Sequence, residues 1–175
     1  MRVFGFAGWS GSGKTTLIEQ VIPRLVLHGL RVSLIKHAHH RFDVDHPGKD
    51  SYRHRHAGCS EVLLTSGERW ALMHELRGAP ELTLDETLAR MSPCDLVLVE
   101  GYKAAPIPKL EIWRAAAGKP LLYPRDPHII AIATDTPERL PDRPRERALA
   151  LLALDDLDAI ATLAFDQART LSLED

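Results

Sequence analysis

The chain has few of the features that mark secreted, disulfide-bonded or membrane-bound proteins. Its only two cysteines, Cys59 and Cys94, lie far apart and form no C-x-x-C pair, which is typical of a reducing compartment. No uninterrupted apolar run approaches the length of a membrane span, and no basic and apolar leader opens the sequence. We therefore expect a cytoplasmic protein with no signal peptide and no membrane partner.

The chain also lacks an excess of charge of either sign. Its 22 basic and 24 acidic residues give a net charge of −2, so overall charge offers no argument for nucleic-acid binding. A hydrophobic content of 45% and a charged content of 26% are ordinary for a globular protein. At 175 residues the chain predicts a single domain, residues 1–175, with a sizeable core.

A phosphate-binding P-loop stands near the beginning of the chain. Gly8–Thr15 reads GWSGSGKT and fits G-x-x-x-x-G-K-[ST], between an apolar strand at 2–7 and a helix from residue 16. In that setting backbone N–H groups and the positive end of the helix dipole point at one spot. Lys14 is predicted to reach the terminal phosphates, and the Thr15 hydroxyl to reach Mg²⁺. The predicted nucleotide contacts are Gly8, Ser10, Gly11, Ser12, Gly13, Lys14, Thr15 and Thr16.

Apolar strands interleaved with helices predict an α/β three-layer sandwich with a mostly parallel sheet. Residues 37–75 are interpreted as an insertion, comprising a histidine-rich loop and an added β arm. Within a C-terminal segment, 146–172, an amphipathic helix is predicted at Asp155–Arg169. Predicted strands lie at 2–7, 30–36, 61–65, 69–74, 95–101, 110–114 and 129–135, with 110–114 at a sheet edge, and shorter helices at 50–56 and 83–91. Ser66-Gly67 is predicted as the turn between the strands at 61–65 and 69–74, and Thr83 with Glu86 as a capping box. The strands 61–74 and 109–114 are candidates for pairing between subunits.

Carboxylates at strand ends are candidates for the metal side of a P-loop site. Glu100 ends a predicted strand at the carboxyl edge of the sheet, where ligands bind, so we expect it to hold Mg²⁺ or act on water. The alternative is an acidic loop residue with no role in metal binding. Asp95, at the opposite end, is interpreted as a strand-entry residue. Asp43 and Asp45 could complete the Mg²⁺ shell or orient the attacking water, or belong to a solvated loop. Lys36 is either an anion contact or a solvated lysine. Lys14, Glu100 and Asp45 form the candidate catalytic set.

Asp135 follows the predicted strand at 129–134, again at the ligand edge. A carboxylate there can accept two hydrogen bonds from the N1–H and N2–H₂ edge of guanine, which adenine cannot supply. The competing interpretation is a helix-capping aspartate before Thr136 and Pro137.

Six histidines crowd a polar stretch after the second strand: His37, His39, His40, His46, His54 and His56. They allow a zinc site, but recognisable ligand spacing is missing. With Lys49, Arg53 and Arg55 they could form a cationic surface for a second anionic ligand or a partner. A solvated loop is the third interpretation.

Several segments together resemble the MobB family, the accessory GTP-binding proteins of molybdopterin-guanine dinucleotide biosynthesis. The resemblance covers most of residues 1–135, and its more specific parts are Lys36–Arg53 and Val99–Lys103. The matching segments are Gly8–Thr15, 35–40, Asp45, 48–53, 57–58, 95–103, 109–114 and 131–135. Nothing beyond about residue 140 contributes.

The resemblance implies a P-loop NTPase fold, a homodimer, GTP with Mg²⁺ as ligand, and weak or slow GTP hydrolysis. It also implies partnership with MobA, the guanylyltransferase that joins GMP to molybdopterin. Asp135 is then a guanine contact, and the histidine-rich loop lies near the partner or near molybdopterin.

Two other functions use the same P-loop. A small-molecule kinase would take a second substrate at the 37–58 loop, with Asp43 or Asp45 receiving the acceptor proton. Its lid would be the arginine-rich stretch 139–145, although the prolines there favour a linker. An ATP-driven partner-binding switch would release only inorganic phosphate.

Overall fold

The computed structural model describes residues 1–38, 42–140 and 149–171, which fall into two compact units. Met1–His37 and Ser92–Asp175 form the larger unit, and Ala38–Met91 form the smaller unit. The strands are β1 (Arg2–Ala7), β2 (Val32–Lys36), β3 (Glu61–Thr65), β4 (Trp70–His74), β5 (Leu96–Glu100), β6 (Lys109–Ile112), β7 (Ile129–Thr134), β8 (Ala150–Ala153) and β9 (Arg169–Thr170). The α-helices are α1 (Lys14–Leu27), α2 (Asp50–Ala57), α3 (Leu84–Leu88) and α4 (Leu157–Asp166). Short 3₁₀ helices lie at Ala115–Ala117 and Pro137–Arg139. Within these described ranges, no helix is both long and apolar enough to cross a membrane.

The larger unit is built on a seven-stranded sheet in the order β2-β5-β1-β6-β7-β8, with β9 antiparallel beside β1. All other pairings are parallel, so the carboxyl ends of β1, β2, β5, β6, β7 and β8 open on one edge. The predicted α/β class and the mostly parallel sheet are confirmed.

Both faces of this sheet are covered. Helix α1 buries Leu17, Val21 and Leu25, spaced three to four residues apart, in a cluster shared with the sheet and with α4. On the other side, Trp113 and Tyr123 pack with Ile132 in a second cluster. Side chains alternate along a strand, so β7 contributes to both clusters.

The predicted edge strand at 110–114 is wrong in its position. Strand β6 lies between β1 and β7, and all four of its residues are buried, so it offers no edge for pairing between subunits. The two charged residues of β6, Lys109 and Glu111, are buried and paired. Lys109 Nζ lies 2.7 Å from the Asp126 carboxylate, and Glu111 accepts hydrogen bonds from the backbone.

The helix predicted at Asp155–Arg169 is confirmed as α4, which begins at Leu157 and whose N-cap, Asp156, accepts a hydrogen bond from the Ala159 N–H at 3.1 Å. No strand was predicted in the 146–172 segment, but Ala150–Ala153 forms β8. The alanine- and leucine-rich run has little intrinsic strand preference. Pairing with β7 at the sheet edge decides its structure. Most of the arginine-rich stretch 139–145 lies outside the described residues.

The smaller unit contains the predicted β arm. Strands β3 and β4 pair antiparallel, with Glu61 opposite His74 and Thr65 opposite Trp70, around the predicted Ser66-Gly67 turn. The predicted helix at 50–56 is confirmed as α2, and α3 begins with the predicted capping box of Thr83 and Glu86.

Candidate functional site at the P-loop

The loop between β1 and α1 has the backbone that a phosphate requires. Gly8, Gly11 and Gly13 all have positive φ, at 148°, 80° and 91°. A Cβ on Gly8 would lie 2.6 Å from Ser12 Oγ and 2.7 Å from the Ile112 carbonyl oxygen, so only glycine fits there. Gly13 precedes α1 without a side-chain cap. The first N–H groups of the helix therefore have no capping side chain to satisfy them.

Lys14 lies half-buried across this loop. Its Nζ donates hydrogen bonds of 2.9 Å to the carbonyl oxygens of both Gly8 and Trp9. Burial lowers the pKa of Lys14, the attraction of Glu100 works against this, and repulsion from Lys103 and Lys36 adds to the lowering. An anion in the loop would relieve both the desolvation and the repulsion.

Thr15 and Glu100 are brought together as the sequence predicts. Thr15 Oγ1 donates a 3.1 Å hydrogen bond to Glu100 Oε1. The parallel register sets Lys36 beside Glu100, and the Lys36 ammonium lies 3.3 Å from Glu100 Oε2 and 3.3 Å from Thr15 Oγ1. Asp95 lies at the opposite end of β5, where it accepts a 2.7 Å hydrogen bond from the Arg31 N–H, confirming its strand-entry role.

These oxygens fit a magnesium ion. Hard divalent cations prefer a hydroxyl and a carboxylate beside phosphate oxygens. The Glu100 side chain is only 11% exposed, and a cationic group, the Lys36 ammonium, already stands beside both oxygens. A metal could thus take the place of a positive charge that the site already holds.

Two residues at this site were not assigned by sequence reasoning. Trp9, a variable position of the P-loop motif, donates from Nε1 to the Pro120 carbonyl at 2.7 Å, and Lys103 Nζ lies 5.6 Å from its ring centroid. Lys103 follows a turn in which Gly101 has a φ of 107° and Tyr102 a φ of 45°. The turn lies within Val99–Lys103, one of the segments that resemble the MobB family. Only the tertiary structure shows that Lys103 lies beside the P-loop.

Asp135 lies just after β7, on the wall of a cavity of about 540 Å³ in the larger unit. Its Oδ2 accepts a 2.9 Å hydrogen bond from Arg114 Nη1, and its Oδ1 accepts one from Thr136 Oγ1 at 3.3 Å. The helix-cap interpretation does not hold, because Thr136 precedes the short 3₁₀ helix and no side chain caps it.

Asp45 belongs to the smaller unit and is engaged there. Its Oδ1 accepts a 2.6 Å hydrogen bond from Arg55, which also binds Asp43 at 2.8 Å and Glu75 at 2.6 Å. The hydrogen bond to Arg55 holds the pKa of Asp45 below its ordinary value. Asp45 is buried, so the solvated-loop interpretation is wrong for it; its role toward Mg²⁺ stays a prediction.

Arg55 does not contribute a free positive charge to the predicted cationic surface, because three carboxylates surround its guanidinium. Among the histidines, His56 stacks on Tyr52 at 3.8 Å and His37 lies 4.7 Å from Tyr102. His39 and His40 lie outside the described residues. In the part of the chain that the structure describes, no three His, Cys, Asp or Glu side chains could together hold a metal ion.

A parallel sheet whose first strand leads through a glycine-rich loop into a helix defines a P-loop NTPase-like α/β protein. Comparison with known families is consistent with this class. The family model described as "MobB: Molybdopterin guanine dinucleotide synthesis protein B" matches residues 3–135. This chain belongs to the MobB family.

Individual relatives agree with that assignment. An Escherichia coli K12 protein named "Molybdopterin-guanine dinucleotide biosynthesis adapter protein" is 44% identical over 162 residues, covering 91% of this chain and 89% of the relative. A Haemophilus influenzae protein of the same name is 47% identical over 141 residues, covering 77% and 75%.

Solved structures share the fold. A MobB homolog from Bacillus stearothermophilus is 26% identical, with a TM-score of 0.66 over 95% of this chain and 97% of that one. Bacillus subtilis MobB, 24% identical, gives a TM-score of 0.73 over 98% and 100%.

Proposed function

We propose that this chain is a GTP-binding adapter protein of molybdopterin-guanine dinucleotide biosynthesis. It would bind GTP with Mg²⁺ and assist a MobA-type guanylyltransferase that joins GMP to molybdopterin. Membership of the MobB family and the adapter names of the relatives support the pathway. The proposal of nucleotide binding rests on one observation: Lys14, Thr15 and Glu100 lie close together at the carboxyl edge of the sheet.

Each residue of this group has a defined part in nucleotide binding. Lys14 would exchange its bonds to the Gly8 and Trp9 carbonyls for charge-assisted bonds to the terminal phosphates. Thr15 and Glu100 would hold Mg²⁺, which, when bound, bridges phosphate oxygens and neutralises their charge. Lys36 and Lys103 would add positive charge around the phosphates, since both already repel Lys14.

Hydrolysis is proposed to be slow. Glu100 is engaged by the Thr15 hydroxyl and the Lys36 ammonium, so it is not a free base for water. Arg114, an arginine beside the P-loop, is paired with Asp135. A site that binds tightly and turns over slowly suits an adapter that holds a nucleotide for a partner.

The smaller unit offers a surface for the proposed homodimer. On one face of the β3–β4 hairpin, Leu63, Trp70 and Leu72 are 59%, 66% and 50% exposed. Large exposed apolar groups gathered on one strand face are typical of protein–protein contacts. We propose that this hairpin contributes to pairing between two copies of the chain.

Calorimetric titration with GTP and ATP, each with Mg²⁺, tests the nucleotide proposal. We expect GTP to bind more tightly, Lys14→Ala to abolish binding with the fold intact, and Lys49→Ala, an exposed lysine of the smaller unit, to leave it unchanged. Retained affinity in Lys14→Ala would contradict the site.

Product analysis and co-purification test the role. We expect a stable complex with purified guanylyltransferase and little free phosphate from GTP. A phosphorylated small molecule would instead support the kinase alternative.

A further inference from the structure

Arg114 occupies a position between the P-loop and Asp135. If Gly13 carried a Cβ, that atom would lie 3.5 Å from Nε and 3.6 Å from Nη2 of Arg114, so the guanidinium lies against the P-loop backbone. The opposite side of the group, Nη1, donates the 2.9 Å bond to Asp135 Oδ2. One side chain thus contacts the phosphate-binding loop and the carboxylate after β7.

The guanidinium has an unused donor. Arg114 Nε is buried and has no hydrogen-bond partner among the described residues, although the side chain as a whole is 40% exposed. A buried donor of a charged group is costly to leave unpaired. Among the described residues, the bond to Asp135 is therefore the polar contact that holds the guanidinium in place.

Arg114 and Asp135 both line the cavity of about 540 Å³, which has the size and lining of a small-ligand pocket. Its wall combines apolar side chains from the end of β8 with a few polar ones. Besides Arg114 and Asp135, the main lining residues are Gln20, Leu152, Leu154 and Asp155. Apolar side chains together with the carboxylates of Asp135 and Asp155 suit a flat heterocycle that carries hydrogen-bond donors.

We propose that this cavity receives the purine base of the nucleotide and that Arg114 is the residue that makes Asp135 selective for guanine. The inference rests on the proposed function, since the nucleotide must first occupy the P-loop. Arg114 acts as a positioning residue, because it works through the Asp135 carboxylate.

A fixed orientation explains why the carboxylate needs this partner. Asp135 is exposed, and an unpaired exposed side chain loses rotamer freedom when it binds a ligand. Arg114 fixes Oδ2 before the base arrives. The remaining lone pairs of Asp135 stay open for the N1–H and N2–H₂ groups of guanine, each a charge-assisted hydrogen bond. Adenine presents an acceptor at N1 and is rejected.

The test measures binding of Mg²⁺ complexes of GTP, ATP, XTP and inorganic tripolyphosphate to the full chain. The variants are Arg114→Met, Arg114→Lys, Asp135→Asn and the double variant Arg114→Met/Asp135→Asn. Arg139→Met, an exposed arginine after β7, is the matched control. Thermal unfolding checks that each variant is folded. If Arg114→Met does not fold, Arg114→Lys still tests the inference.

We expect Arg114→Met to reduce the GTP-to-ATP preference about 10- to 100-fold while tripolyphosphate affinity changes little. Arg114→Lys should restore part of the preference. Asp135→Asn should favour XTP, whose 2-oxo group accepts from the amide. The double variant should lose no more GTP preference than Asp135→Asn alone, because the two residues act as a unit.

Equal losses for GTP, ATP and tripolyphosphate in Arg114→Met would overturn the inference and make Arg114 a phosphate ligand. If every variant bound tripolyphosphate and kept the same ratio of GTP to ATP affinity, the inference would be overturned. The proposal that the P-loop binds phosphates would not be affected. Binding of neither tripolyphosphate nor GTP by the unmodified chain would overturn the proposed function as well.

Discussion

The ammonium of Lys36 lies 3.3 Å from Oε2 of Glu100, its register partner across β2 and β5. The same ammonium lies 3.3 Å from Thr15 Oγ1. In the nucleotide-free site, a lysine therefore stands beside both proposed oxygen ligands of Mg²⁺. A divalent cation that binds these oxygens has to compete with it.

Lys36→Met should strengthen binding of a divalent cation to the nucleotide-free protein several-fold, because Glu100 loses its neutralising partner. The same change should weaken Mg²⁺-free GTP, since one positive charge near the phosphates is lost. Electron paramagnetic resonance titration with Mn²⁺ and calorimetry with GTP measure the two effects. Lys49→Met is the control, and unchanged Mn²⁺ affinity in Lys36→Met would exclude the competition.

The half-buried position of Lys14 predicts an alkaline pH dependence of nucleotide binding. Burial lowers the pKa of Lys14, so it loses its proton at a lower pH than an exposed lysine. Phosphates favour the charged form, so GTP affinity should fall as the pH rises through the lowered pKa, with proton uptake on binding. Calorimetry in buffers of different ionisation enthalpy measures this uptake. The same uptake in Lys14→Arg, whose guanidinium stays protonated, would assign it to another group.

Glu100→Gln should remove most of the Mg²⁺ dependence of GTP binding. The amide keeps the shape of the side chain but supplies no charge for the metal, so we expect the gain in affinity from Mg²⁺ to fall about tenfold. Affinity in the presence of a chelator should not fall, because the change removes one negative charge near the phosphates. Asp95→Asn, at the other end of the same strand, is the matched control, and an equal effect there would contradict the assignment.

Glu111→Gln should destabilise the larger unit and disturb the P-loop through the 119–123 segment. Both Glu111 oxygens accept backbone hydrogen bonds, from Leu122 at 2.7 Å and Tyr123 at 2.9 Å. An amide has one acceptor oxygen, so one buried N–H loses its partner, at a cost of about 1–3 kcal/mol in the free energy of unfolding. Urea unfolding measures this cost. Exposed Glu138→Gln should show none.

The prediction extends from stability to the loop. The Pro120 carbonyl accepts from Trp9, so loosening its segment should also change tryptophan fluorescence on GTP binding. Unchanged unfolding in Glu111→Gln would show that the segment is held elsewhere.

The Arg55 cluster predicts an acid-sensitive contribution to the stability of the smaller unit. Because the pKa of Asp45 is lowered from its ordinary value of 3.8, the pair stabilises the fold above that value and loses this effect as pH falls through the lowered pKa. Arg55→Met should therefore lower the melting temperature at neutral pH, and the difference should shrink at strongly acidic pH. Arg53→Met, 73% exposed, should have little effect at either pH. A pH-independent difference would point to packing alone.

The sequence by itself determined the parts of this protein that depend on local chemistry. The strand Arg2–Ala7, the glycine backbone of the P-loop and the capping box at Thr83 follow from patterns within a few residues. Glu100 was found because a parallel sheet sends every strand end to the same edge. The segments before residue 135 also indicated membership of the MobB family.

Only the tertiary structure decided which distant groups meet. The strand at 110–114 was predicted at a sheet edge, yet Lys109 and Glu111 are buried and find partners more than ten residues away. Arg114 gave no signal in the sequence as a neighbour of Gly13 and Asp135, and Asp45 none as a partner of Arg55. A side chain's neighbours are set by strand order and loop path. The spacing of residues along the chain indicates local propensity and periodicity. It does not indicate the free energy of contacts that form only in the folded chain.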